Sequence, residues 1–75
     1  MSPNDLLVSA HTAGFAQPEL ATLLGVSRQS VNFYVNGKVR WAPSDEQLDR
    51  LYDAVVERHN ALHQLALTLK DWPGP

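Results

Sequence analysis

The chain has 75 residues, 44% apolar and 19% charged, with a net charge of −2, which suits one folded domain with a modest core. It has no cysteine, excluding disulfides and cysteine-ligated metals. No apolar run approaches the roughly 18 residues that span a bilayer, and the N-terminus lacks the basic-then-apolar order of a secretory leader, so a cytoplasmic location is expected.

Ser2 is a helix cap, Pro3 suits a first helical position and Asp5 an early turn, which predicts a helix over residues 3–13. Leu6, Leu7, Ala10 and Ala13 form its apolar stripe and Gly14 stops it. A second helix is predicted over 17–24, with Pro18 and Glu19 in its first turn, Leu20, Ala21, Leu23 and Leu24 on its buried face, and Gly25 at its end. Ser27 caps a third, over 28–36, which Asn36-Gly37 ends. Val31, Tyr34 and Val35 point one way on it, while Arg28, Gln29, Asn32, Phe33 and Asn36 face the other and are mostly polar. Residues 37–43 form a short basic loop. Ser44 with Gln47 is a capping box, and Asp45 to Lys70 contains no Gly or Pro, predicting a helix about 39 Å long. Leu48, Val55, Leu62 and Leu69 recur every seven residues along it, thickened by Leu51, Tyr52, His59, Leu65 and Ala66, and His59-Asn60 is its weakest point. Residues 71–75 read as a mobile tail. The expected core is Leu6, Leu7, Leu20, Ala21, Leu24, Val26, Val31, Tyr34, Leu48 and Leu51, in an all-α fold.

Charge is unevenly spread. Residues 1–43 hold Arg28, Lys38 and Arg40 against Asp5 and Glu19, a net of +1. Residues 44–75 hold Arg50, Arg58 and Lys70 against Asp45, Glu46, Asp49, Asp53, Glu57 and Asp71, a net of −3. A local field can favour a polyanion that the sum does not.

Two short helices joined by Leu24-Gly25-Val26-Ser27 have the proportions of a helix-turn-helix. Ala21 is small where the helices must cross closely, Gly25 opens the turn, and Val26 and Val31 lock the second helix onto the first. Three stretches of residues 6–51 then resemble the Cro/CI-like (XRE-type) helix-turn-helix family. They are Phe15-Ala16-Gln17-Pro18-Glu19-Leu20-Ala21, then Leu24-Gly25-Val26-Ser27-Arg28-Gln29-Ser30-Val31, then Asn36-Gly37-Lys38 with Pro43-Ser44. The resemblance implies a small λ-repressor-like domain in which 28–36 enters the major groove of double-stranded DNA. Arg28, Gln29, Asn32 and Phe33 would then face base edges, while Gln17, Ser30, Lys38 and Arg40 would contact phosphate. Ala16 departs from the family's Thr or Ser cap. Val35 departs from its Glu, whose Arg partner is also absent from the first helix, so apolar contact is expected to replace that pair.

The division expected within this one domain is a DNA-binding region at 1–44, a helix at 45–70 that completes the core and dimerises, and a tail at 71–75. An amphipathic helix this long exceeds what about 45 residues can cover, so a homodimer through Val55, His59, Leu62, Leu65, Ala66 and Leu69 is expected. It would set two recognition helices about 34 Å apart. His59 and His63 stand at i, i+4, but no acidic third ligand is placed with them and no metal is expected. Trp41 and Trp72 read as packing residues. No catalytic constellation, cofactor motif or small-molecule site is evident. The leading expectation is a transcriptional regulator, a repressor of phage or mobile-element type acting at the nucleoid. The alternatives are a DNA-recognition subunit of a larger assembly of the phage-packaging type, or a protein-interaction module that has lost DNA binding.

Overall fold

Serine hydroxyls start three of the four helices in this chain. The computed structural model describes residues 1–74, and Pro75, the end of the expected tail, lies outside the described residues. Four helices form, α1 (Pro3–Thr12), α2 (Gln17–Leu24), α3 (Arg28–Val35) and α4 (Asp45–Lys70), with no strand among the described residues. The Ser2 hydroxyl accepts from the Asp5 amide at 3.3 Å and the Asp5 carboxylate accepts from the Ser2 amide at 3.0 Å. Ser44 and Gln47 make the same reciprocal pair, both bonds at 3.1 Å, and the Ser27 hydroxyl accepts from the Ser30 amide at 3.0 Å. Each cap satisfies donors that the first helical turn cannot. Gly25 closes α2 at φ +70°, a left-handed conformation in which a side chain would be strained. The all-α architecture with a long last helix is as expected, and α4 runs through His59-Asn60 without a break.

The core gathers Leu7 and Ala10 from α1, Phe15 from the following turn, and Leu20, Ala21 and Leu24 from α2. Val31 comes from α3, Trp41 from the loop and Leu51 from α4. Leu23, Val26, Tyr34, Val35 and Ala54 pack around them. Each large side chain buried here contributes about 2 kcal/mol. Leu6 and Leu48 are exposed, against expectation. The reason is that α1 and α4 do not close on each other. A groove of ≈ 290 Å³ remains between them, lined by Leu6, Ala10, Leu51 and Val55 among others, and the interior places go to Phe15 and Trp41.

Three polar attachments hold the elements. The Asn4 amide nitrogen donates to the carbonyls of Tyr34 and Val39, both at 2.9 Å, and its oxygen accepts from the Trp41 amide at 2.9 Å. That ties the start of α1 to the loop after α3. Gln47, besides capping α4, donates through Nε2 to the Leu24 carbonyl at 3.0 Å, satisfying an orphan acceptor at the end of α2. Arg58 lies with its guanidinium 3.8 Å from the centroid of Phe15, donates to the Gly14 carbonyl at 3.2 Å and pairs with Glu19. Beyond Arg58 every residue of α4 is exposed. The helix therefore projects from the body, and the Cα radius of gyration is 15.0 Å where a compact chain of this length has about 11 Å.

Asn4→Ala leaves one donor and two acceptors without their partner. It is expected to cost about 2 kcal/mol and to lower the melting temperature by about 10 °C, followed by circular dichroism. An unchanged melting temperature would mean that water replaces all three bonds at no cost.

Candidate nucleic-acid interface

The helix-turn-helix presents one face built from the first turn of α2, the outer side of α3 and the loop that follows. At α2 the cap is Ala16, which offers no side-chain acceptor, so the amides of that turn are left for an outside partner. Gln17 at the same turn is half-buried. Its Oε1 accepts from Asn32 Nδ2 at 3.3 Å, and Asn32 Oδ1 accepts in turn from Asn36 Nδ2 at 3.0 Å. An amide chain thus runs from α2 along α3 and sets the orientation of each member before any ligand arrives.

Arg28 and Gln29 are exposed in the first turn of α3. Ser30 is half-buried, and its hydroxyl oxygen accepts from the Ser27 hydroxyl at 2.9 Å, so it is engaged at the helix cap. Phe33 is half-buried, with the Lys38 ammonium 5.8 Å from its ring centroid. Trp41 packs on Tyr34, with centroids 6.3 Å apart. Lys38 and Arg40 are exposed on the loop that Asn4 holds. Arg28, Gln29, Asn32 and Phe33 share the outer side of α3, and Gln17 joins them through Asn32. Val35 is half-buried against the core, which is the apolar contact expected there.

The electrostatics of this face are simple. No Asp or Glu occurs between Leu20 and Ser44. Arg50 is paired with Glu46 and Arg58 with Glu19, whereas Arg28, Lys38 and Arg40 make no ion pair among the described residues. Their charge is uncancelled locally, so the face is positive on a molecule that is negative overall.

Two residues belong to this site beyond those singled out from the sequence. Asn36 extends the amide chain, and its place on the polar side of the third helix was the available signal. Asn4 positions the loop bearing Lys38 and Arg40, and no local pattern marks it because its partners lie 30 to 37 residues away. The residues expected to dimerise, Val55, His59, Leu62, Leu65, Ala66 and Leu69, are all exposed on α4. His59 and His63 stack with centroids 6.4 Å apart, and among the described residues no group of three or more His, Cys, Asp or Glu gathers to hold a metal. No helix among those residues is long and apolar enough to cross a membrane. Comparison of the chain with protein-family models, curated protein sequences and solved structures returns no match.

Asn32 and Asn36 are exposed, so their bonds orient side chains without carrying the fold. Asn32→Ala is expected to change stability by less than about 0.5 kcal/mol, read from the urea unfolding midpoint. A larger loss would make Asn32 a structural residue.

Proposed function

We propose that this chain is a sequence-specific DNA-binding regulator, a repressor, that reads the major groove with α3. The observation that carries the reading is the acid-free run of residues 20–44, in which Arg28, Lys38 and Arg40 make no ion pair among the described residues and stand beside the linked amides of Gln17, Asn32 and Asn36. Duplex DNA offers the two things such a face matches. It has a dense row of phosphates for the cations and the α2 amides, and base edges whose donor and acceptor pattern is unique in the major groove. Arg28 is assigned to guanine, Gln29 and Asn32 to adenine edges, and Phe33 to a thymine methyl. Gln17, Lys38 and Arg40 are assigned to the backbone, where they position without selecting sequence. The Ser30 hydroxyl oxygen accepts from Ser27 and keeps its own proton to donate, so Ser30 is assigned to phosphate as well.

The net charge of −2 favours a second reading, a module that binds a protein partner through the same face. A gel shift against a random duplex pool separates the two, because only the first predicts retained and enriched sequences. Such a selection would also supply the preferred site.

Within the DNA reading, Arg28→Ala is expected to weaken specific binding by about 1–3 kcal/mol and to relax preference at one base pair. Lys38→Ala is expected to weaken binding to all sequences alike and to flatten the slope of log K against log salt by about 0.9. Both are measured by fluorescence anisotropy titration at several salt concentrations. If Arg28→Ala leaves affinity and base preference intact, α3 is not the recognition helix.

A further inference from the structure

The outer half of α4 has no protein beneath it. Leu48, Leu51, Val55, Arg58, Leu62, Leu65 and Leu69 follow one another at alternating steps of three and four residues, and Trp72 comes three later. This is the spacing of a helix-pairing seam. Up to Arg58 the domain covers this seam in part: Leu51 is buried and the guanidinium lies on Phe15, while Leu48 and Val55 are 36% and 43% exposed. Past that point Leu62 is 57% exposed, Leu65 53%, Leu69 64% and Trp72 64%.

Two further observations say what covers it. The chain has 5458 Å² of accessible surface, where a compact monomer of its mass has about 4,600 Å². The excess of about 900 Å² is close to the ~800 Å² that each partner buries in an ordinary specific interface. The bare segment also carries no Asp, Glu, Lys or Arg from His59 to Leu69, although both signs of charge are frequent on the rest of α4. A surface that pairs with its own copy sets like against like near the two-fold axis, and an uncharged one does so without repulsion.

Where α4 leaves the body, a groove of ≈ 460 Å³ opens, lined by Phe15, Ala54, Arg58, Ala61 and Leu62, with Glu19 and Glu57 at its edge. Its lining is mostly apolar. The groove lies at one end of the bare segment and Trp72 at the other.

We propose that a second copy of this chain covers this surface, the outer halves of the two α4 helices packing antiparallel and Trp72 of each copy seating in the groove of the other. In this arrangement Leu62 of one copy opposes Trp72 of the other, and Leu65 opposes Leu69, giving four seam layers along about 15 Å. The groove's carboxylates supply an acceptor for the indole N–H. A parallel pair would stack Trp72 on Trp72 and leave both grooves empty. The inference stands on α4 and the groove, and is independent of what the opposite face binds.

The test joins sedimentation with cross-linking, which the absence of native cysteine makes clean. The wild type is expected to sediment at twice its 8.3 kDa chain mass at tens of micromolar. Leu65→Asp is expected to sediment at the chain mass while keeping the helical spectrum and cooperative melting of the body, because Leu65 is 53% exposed and lies outside the core cluster. When Leu62→Cys and Trp72→Cys chains are mixed and oxidised, disulfides are expected chiefly between the two different variants. A monomeric wild type, a larger oligomer, a Leu65→Asp dimer, or cross-links confined to like positions would each overturn the proposal.

Discussion

One side-chain amide fixes the loop that carries Lys38 and Arg40 and closes the core beneath it. Asn4, in the first turn of α1, takes two carbonyls and one amide N–H from the loop that follows α3. Those groups belong to irregular backbone, which has no helical partners to satisfy it. Closing the loop over α1 lets Trp41 become a buried core residue at 2% exposure, with Tyr34 against it. The same closure fixes where Lys38 and Arg40 stand relative to α3. A core made only of apolar side chains is thus completed by a residue that is itself polar and only half-buried.

The opposite face of α3 follows from a division of labour along eight residues. Val31 goes fully inward and Tyr34 and Val35 partly so, leaving the amides and Arg28 outward. The outward groups are not a loose fringe, since Gln17, Asn32 and Asn36 are linked in series. Such preorganisation lowers the ordering cost on binding. The placing of the acids accounts for how an acidic chain presents cations on this side. The carboxylates are concentrated on α4, where Glu46 pairs with Arg50, and Glu19 is drawn into the Arg58 contact.

Helix α4 serves two environments with one stripe. Its first half meets the body through Gln47, Leu51 and Arg58. An arginine at a seam position looks out of place until its surroundings are seen. Its planar group covers Phe15 while its donors reach Gly14 and Glu19, a combination that a lysine could not make. This contact is where the domain ends and the projecting half of the helix begins.

Local chemistry determined the four helices, because caps, glycine stops and apolar spacing act over three or four residues and were all legible: Ser2, Ser27 and Ser44 start helices as expected, and Gly25 ends one. The separation of α3 into an inward and an outward side was equally legible, since it depends on helical period alone. Even so, several features needed the tertiary structure. Phe15 and Trp41 sit outside any helix, so no periodicity marks them as core. Leu6 and Leu48 have the right spacing for burial, yet both are exposed, and Leu6 borders the groove that the open α1–α4 crossing leaves. Asn4, the second bond of Gln47 and the three-way contact of Arg58 join residues 23 to 44 positions apart. Contacts of that reach depend on where the chain brings each backbone group, and only the folded arrangement decides it.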